Sequence, residues 1–169
     1  MSLEGYKTDG PRHWLLIAAI AVACAGSRAW AANDVPVPAR CTPDVNQKLA
    51  QLLRARQRNP VDNLMLCGTS TGPSQTESGG EHGDHQIIPV RVQLPDGSTR
   101  SIEVVTDDDL DGKVTAPANA AIFAYGQAFF TSTGRYAAGM HEVHRSTHSG
   151  ADNGWVVVNG TKYPAVSCN

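Results

Sequence analysis

The segment Ala121-Ile-Phe-Ala-Tyr-Gly-Gln-Ala-Phe-Phe-Thr131 is followed by residues 139–148 and 154–163, and these three segments decide the fold. They contain all three Phe residues of the chain and several β-branched residues, which are the residue types enriched in strands. They therefore predict two long strands and a shorter third one. Gly126 inside the first strand predicts a bulge or a sharp bend.

Three further strands are predicted upstream, at residues 61–69, 87–94 and 101–106. Apolar and polar residues alternate in the second and third of them, as in half-buried strands. Pro95-Asp-Gly-Ser98 between them predicts a tight hairpin turn, because Asp-Gly accepts the positive φ of such turns. The apolar positions that should face the core are Val90, Val92, Leu94, Ile102 and Val104.

One helix is predicted near the start of the folded part. Thr42 is a candidate N-cap, with Pro43 at the first helical position, and Pro60 ends the segment. An apolar stripe recurs at i, i+4, i+7 and i+8, formed by Val45, Leu49, Leu52 and Leu53. Residues 69–84 are rich in Gly, Ser and Thr and predict a mobile loop, and the acidic residues 107–112 predict a solvated turn.

One helix and five or six strands joined by hairpins indicate a mainly β protein. The closest standard architecture is a small OB-like antiparallel β-barrel with one N-terminal α-helix. Closing the sheet into a barrel also removes exposed sheet edges.

Residues 1–31 have the pattern of a secretory signal peptide. An apolar run at residues 15–26 follows Arg12, is shorter than the ~20 residues of a membrane span, and precedes the small-x-small motif ending at Ala31. We therefore expect a periplasmic or secreted protein with an extended segment at residues 32–40 and a helix-plus-barrel domain at residues 41–169. A retained anchor, or a lipoprotein modified at Cys24, is the alternative. The net charge of −2 argues against a general polyanion binder.

Three cysteines remain after such cleavage, namely Cys41, Cys67 and Cys168. An oxidising compartment favours one disulfide, and the odd count leaves one thiol over. Cys41–Cys67 is the favoured pair because it fastens the helix to the first strand, with a stabilisation of roughly 3 kcal/mol. Cys41–Cys168, which would tie the two termini, is the alternative. A zinc–thiolate site lacks the required Cys-x-x-Cys spacing.

Several short motifs occur in a fixed order between Cys41 and Tyr163: Ala55-Arg-Gln57, His85-Gln86, Leu94-x-x-Gly97, Gly126, Thr147-His148, Gly154-Trp155 and Asn159-Gly160. Through these motifs the chain resembles the domain of unknown function 3465 family, which comprises small exported bacterial proteins. The resemblance implies an exported OB-like barrel and implies no activity. This chain has His144-Arg-Ser-Thr-His148 where the family usually shows His-Trp-Thr-His-His.

Histidines and aromatic residues are the candidate site residues. Residues two apart on a strand share a face, so His144 and His148 share one, although ~13 Å of regular strand separates them. A divalent metal such as zinc, held by His85, His144 and His148, is one hypothesis, and structural histidines are the alternative. The candidate ligand-binding residues are His85, Gln86, His144, His148, Tyr125 and Trp155. The aromatic rings could instead belong to the core.

Three functions fit these features. The first is a binding module for an oligosaccharide, a peptide or a single-stranded nucleic acid, because aromatic faces stack on sugars and bases. The second is a histidine-based hydrolase or nuclease, with His148 and Asp152 as a base and its orienting group. The third is an envelope inhibitor or secretion accessory protein whose residues 69–84 become ordered on a partner. The catalytic residues and the identity of the envelope partner stay unknown at this level.

Overall fold

The structure, a computed structural model, describes residues 34–130, 134–146 and 152–164. A 3-10 turn (Pro43–Asn46) leads into helix α1 (Gln47–Arg54), and a four-residue helix, α2 (Asp108–Asp111), lies between strands. The strands are β1 (Val61–Ser70), β2 (Gln75–Gly80), β3 (Gly83–Gln93), β4 (Thr99–Asp107), β5 (Ala121–Phe129), β6 (Ala138–His141), β7 (Trp155–Val158) and β8 (Thr161–Tyr163).

Five strands close into a barrel in the order β1-β3-β4-β6-β5, and β5 pairs back with β1. All these pairings are antiparallel except that of β4 with β6. Strand β2 extends the sheet alongside the first half of β3, and β7 and β8 continue it from β5. The prediction of a mainly β chain with a small OB-like barrel and an N-terminal helix is confirmed.

The barrel interior holds the main apolar core. Every apolar residue that alternation assigned to the core of the β3–β4 hairpin is buried, and burial of each such side chain contributes roughly 1.5–3 kcal/mol. These residues are Val90, Val92, Leu94, Ile102 and Val104. The turn between the strands is also confirmed, since Gly97 has a φ of 82° and its N–H donates to the carbonyl of Leu94 at 2.9 Å.

Gly126 lies at an irregularity in the sheet, as predicted. The register between β1 and β5 shifts between Val61 and Leu64, and Leu64 pairs with Gly126. A Cβ on Gly126 would lie 2.5 Å from the carbonyl oxygen of His141. Glycine is therefore required here by the close approach of the chain that leaves β6.

The helix is joined to the barrel by the Cys41–Cys67 disulfide, which confirms the favoured pairing. Asn46 adds a second connection: its buried carboxamide bonds to Cys67 and to Gln93. Thr42 is the N-cap of the 3-10 turn and Pro43 its first residue, as predicted, but the Thr42 side chain makes no capping bond and its carbonyl accepts from Val45 at 3.1 Å. Cys168 and the signal segment lie outside the described residues. None of the helices among the described residues is long and apolar enough to cross a membrane.

A second apolar cluster lies on the outer side of the barrel. Tyr125, Trp155 and Val157 form its centre, and residues 34–38 cover it through Val35 and Val37. The indole N–H of Trp155 donates to the carbonyl of Val35 at 2.8 Å. The extended N-terminal segment is thus packed onto the barrel.

Several of the predicted local structures are wrong. Residues 154–163 are not one strand but β7 and β8, joined by a turn at residues 159–160. The helix ends at Arg54 and not just before Pro60. Residues 69–84 are not a mobile loop, because Gln75–Gly80 forms β2 and pairs with β3. The acidic turn is helix α2, whose Asp111 is buried rather than solvated. The strand expected at residues 139–148 ends at His141, because Glu142 has a φ of 51° and leaves the ladder.

Candidate functional site

The outer face of strands β2 to β6 brings together side chains that are far apart in sequence. In the β-ladder Glu77 lies opposite His85, and His85 lies opposite Asp107. Ile87 and Val105 form the next outward pair. We call this surface the outer face; its members are Glu77, His85, Ile87, Glu103, Val105, Asp107, Gln127 and His141.

Nε2 of His85 contacts the carboxylate of Asp107 across the β3–β4 ladder, and this contact is an ion pair when the imidazole ring is protonated. Both side chains are partly exposed, with 33% and 18% of their surface accessible. A partly exposed pair of this kind contributes on the order of 1 kcal/mol or less to stability. Its main effect is to fix the position of the imidazole ring at the surface.

His141 is held by a chain of hydrogen bonds that determines its tautomer. Asp62 accepts from Nε2 of Gln127 at 2.6 Å, and Oε1 of Gln127 lies 2.7 Å from Nε2 of His141. Because the carboxylate of Asp62 only accepts, the amide must donate to it and present its oxygen to the histidine. His141 therefore carries its hydrogen on Nε2, and Nδ1 is the free acceptor when the ring is neutral.

The surroundings of His141 favour the neutral ring. Burial is the main cause that lowers the pKa of His141, and the carboxylates of Glu142 and Asp107 oppose it only in part. The ring also packs edge-on against Phe129, with 5.1 Å between ring centroids. At neutral pH His141 is thus a positioned hydrogen-bond acceptor or proton acceptor.

Glu103 is a half-buried carboxylate of the outer face. Burial raises the pKa of Glu103, and the nearby carboxylate of Glu77 raises it further. Neither residue has a cationic partner within residues 34–130, 134–146 and 152–164. The two carboxylates lie on either side of Ile87, since Glu77 pairs with His85 and Glu103 pairs with Pro89.

A small polar cleft adjoins the Asp62–Gln127–His141 chain. Asp62, Asn63, Gln127, Glu142 and Asp152 line it together with Gly126. Asn63 and Glu142 both adopt positive φ, at 57° and 51°. Such conformations cost on the order of 1–3 kcal/mol each and are concentrated at functional sites. The cleft therefore extends the candidate site beyond the outer face.

The structure describes two of the three predicted metal-ligand histidines, His85 and His144. His85 lies on the outer face, while His144 follows β6 and its Nδ1 lies 2.8 Å from the carbonyl oxygen of Arg145. His148 lies outside the described residues. Within the described ranges, no group of three or more His, Cys, Asp or Glu side chains is arranged to hold a metal ion. Because the predicted zinc set includes His148, it stays a prediction.

The other three predicted ligand contacts point away from solvent. Gln86 is 1% exposed and bonds to Thr76 and Asp108. Tyr125 and Trp155 are 6% and 1% exposed. Burial, together with the hydrogen bond from the Tyr125 hydroxyl to Asp152 at 2.7 Å, raises the pKa of that tyrosine. The alternative that these rings belong to a core is correct, and neither offers a face for stacking.

Sequence reasoning missed His141, Gln127, Asp62 and Glu103 as site residues. Alternation places His141 on the side of its strand opposite to His144. Period-2 alternation did indicate that it shares an outward face with its neighbours. The partners Asp62 and Gln127 lie 65 residues apart in sequence, and no local pattern connects them.

Comparison with known proteins adds no assignment: no family model, no curated protein and no solved structure matches the chain. The resemblance to the domain of unknown function 3465 family therefore stays a prediction.

Proposed function

We propose that this chain is an exported binding module with an OB-type fold, and that its outer face binds a cationic, extended segment of an envelope protein. The observation that carries the proposal is the pair Glu77 and Glu103, two carboxylates on either side of Ile87 that form no ion pair with a lysine or arginine among the described residues. A lysine or arginine side chain fits this surface, since its alkyl part packs on apolar residues while its charge stays near carboxylates.

The topology supports an OB-type assignment. In OB barrels the ligand surface is the face of the second and third strands together with the adjoining loops. In this barrel the corresponding strands are β3 and β4, and the β2–β3 hairpin occupies the place of the first of these loops. The outer face coincides with that surface.

The charge distribution favours a cationic ligand over a single-stranded nucleic acid. Between residues 75 and 111 acidic residues predominate, and the basic residues are Arg91 and Arg100. Proteins that bind single strands combine a positively charged groove with exposed aromatic platforms. The outer face is acidic, and Tyr125 and Trp155 are buried.

Strand β2 also has one pairing partner among the described strands, so its open edge can accept an extended segment.

Calorimetric titration of the protein without its predicted signal peptide (residues 32–169) tests this proposal. The ligands are a short lysine-rich peptide, a glutamate-rich peptide of equal length, an oligosaccharide and a single-stranded oligothymidylate. We expect binding of the lysine-rich peptide alone, with an affinity that falls as salt rises. Glu103→Gln and Glu77→Gln should each weaken binding about threefold to fivefold.

The matched control is Asp44→Asn, which removes an exposed carboxylate in the 3-10 turn, at the end of β3 away from Glu77. It should leave the affinity unchanged. Equal binding of the two peptides, or equal losses in the control and the Glu variants, would show that the outer face is not the site.

A histidine-based hydrolase is the second candidate, and the fixed tautomer of His141 favours it. The neutral ring, with Nδ1 free, has the form of a general base. Hydrolysis of a panel of ester, glycoside and phosphodiester substrates should then fall at least tenfold in His141→Ala and follow an ascending pH profile. Metal analysis of the purified protein distinguishes a metal-assisted reaction. If neither His141→Ala nor His148→Ala loses activity, this function is eliminated.

A further inference from the structure

The extended segment that covers the second apolar cluster alternates valine and proline. Its sequence is Asp34-Val-Pro-Val-Pro38, so a proline follows each of the two valines. Proline fixes its own φ near −65° and restricts the preceding residue to extended backbone. Residues 35–38 accordingly belong to no helix or strand. The covalent structure of the segment therefore holds it close to a polyproline II conformation. We call residues 34–38 the strap.

The surface beneath the strap is a patch of apolar side chains on the outer side of β1, β5 and β7. We call it the aromatic strip; its members are Met65, Phe123, Tyr125, Trp155 and Val157. Cross-strand pairing places Met65, Tyr125 and Trp155 in one row. The rings of Tyr125 and Trp155 stack, with 6.0 Å between their centroids.

The strap contacts the strip through apolar side chains and two hydrogen bonds. Val35 and Val37 pack against the strip, while Pro36 between them is exposed. The indole N–H of Trp155 donates to the carbonyl of Val35 at 2.8 Å, and Nδ2 of Asn153 donates to the carboxylate of Asp34 at 2.9 Å. Aromatic-lined surfaces commonly receive polyproline II segments, because a pre-formed helix loses little entropy on binding. The strap is therefore seated as a bound peptide would be.

The strap is separable from the barrel. Its described backbone pairing is a single bridge between Asp34 and Asn153, and its two prolines lack the N–H that a β-ladder requires. The two valines pack on the outer cluster and do not belong to the interior core. The strap can therefore leave the strip without breaking a strand pairing of the barrel.

We propose that the aromatic strip is a binding site for extended segments of other proteins with the pattern Asp-Val-Pro-Val-Pro, and that the strap occupies it as an intramolecular competitor. A ligand with this pattern makes the same contacts as the strap. Its carboxylate accepts from Asn153, the carbonyl of its first valine accepts from the Trp155 indole, and its valine side chains cover the rings. The site is separate from the outer face and does not depend on the function proposed for that surface.

A short tether disfavours the strap of a second copy as the occupant. Cys41 is bonded to Cys67 of its own barrel, and residues 34–40 span at most about 25 Å when fully extended. Two barrels that exchanged straps would have to bring each tether point within this distance of the other strip. A segment of another protein has no such restriction.

Peptide titration of residues 32–169, followed by the NMR signal of the Trp155 indole N–H, tests the site. The probe is the peptide Asp-Val-Pro-Val-Pro-Ala. A competitor that occupies the strip in about nine-tenths of the molecules lowers the apparent affinity about tenfold. The double variant Val35→Ser, Val37→Ser weakens the strap and leaves the strip intact, so it should bind the probe about tenfold more tightly than the parent. Ala39→Ser, at an exposed position beside the strap, is the matched control and should bind like the parent.

The parent provides a measurement that depends on no variant. Short tethers correspond to millimolar effective concentrations, so millimolar probe should displace the strap and shift the indole signal of the parent. Absence of any shift in the parent and in the double variant overturns the proposal. Equal affinity of these two proteins also overturns it, because the strap would then not compete.

Two further peptides define the class of ligand. Asp-Val-Ala-Val-Ala-Ala keeps the valines but is not pre-formed, and Asp-Ser-Pro-Ser-Pro-Ala keeps the prolines but lacks the apolar contacts. Each should bind the double variant at least about threefold more weakly than the probe. Equal affinity of the probe and the alanine peptide contradicts recognition of a polyproline II segment. A concentration-dependent dimer of the parent that is lost in the double variant would assign the strip to a second copy and would likewise overturn the proposal.

Discussion

Substitution of Asn46 should lower the stability of the fold more than substitution of most other polar residues. Strands β1 and β3 pair directly at Thr69–Arg91 and at Ser70–Val90, and towards the helix their hydrogen bonding is continued by the Asn46 side chain. Its Oδ1 accepts from Cys67 N–H at 2.8 Å, and its Nδ2 donates to the carbonyls of Cys67 and Gln93 at 3.0 and 2.9 Å. The carboxamide thus replaces a segment of backbone ladder.

Asn46→Ala would leave three backbone groups without partners in a place where the side chain is 0% exposed. A buried donor or acceptor that loses its partner costs about 1–3 kcal/mol. Water that enters the space recovers part of this cost. We therefore expect a loss of about 3 kcal/mol in the free energy of unfolding, and not less than about 2 kcal/mol.

Urea denaturation with the disulfide intact measures this loss. The fluorescence of Trp155, the single tryptophan of residues 32–169, reports the transition. Asn46→Asp keeps the size of the side chain but has no donor for the two carbonyls, so it should cost at least as much at neutral pH. Gln47→Ala, on the exposed neighbour, should change stability by less than about 0.5 kcal/mol. Retention of full stability in Asn46→Asp would refute the hydrogen-bond explanation.

Three other outcomes follow from the same structure. Reduction of Cys41–Cys67 should lower the free energy of unfolding by roughly 3 kcal/mol, measured by urea denaturation with and without reductant, whereas an unchanged midpoint would contradict this. Gly126→Ala should cost about 1–3 kcal/mol, because its Cβ would lie 2.5 Å from the carbonyl oxygen of His141; a melting temperature equal to the parent's would show that the backbone adjusts freely. Burial raises the pKa of Asp111 in the folded state from 3.8 to about 6. The free energy of unfolding should therefore fall by up to roughly 3 kcal/mol as the pH rises from about 4 to 6, and should change little from this group above pH 6. Asp111→Asn should lack this contribution in pH-dependent denaturation, and identical pH profiles would disprove it.

The barrel could be predicted because each of its strands buries one of its two faces. Alternation at Val90, Val92, Ile102 and Val104 identified inward positions directly, and these residues are buried. Strand β2 could not be predicted in the same way. Its residues Gln75–Gly80 are almost all exposed, so burial imposes no pattern on them, and pairing with β3 alone makes the segment a strand.

The candidate site was harder to predict because its side chains are brought together by the pairing register of the strands. His85 was identified from the sequence, but its partner Asp107 belongs to a run of acidic residues that gave no indication of which carboxylate would face a histidine. Asp111 in the same run is buried by the turn of α2, a tertiary effect without a local signal. The aromatic residues were considered for ligand binding because alternation alone does not show that residues 34–38 cover the outer side of the barrel.

Chemical-shift mapping with the lysine-rich peptide tests the central proposal most directly. If the outer face is the binding surface, the largest backbone amide shifts on titration should come from β2, β3 and β4 around Glu77, Ile87 and Glu103, and they should diminish in Glu103→Gln. Shifts centred instead on α1 or on residues 34–38, with the β3–β4 hairpin unaffected, would contradict it.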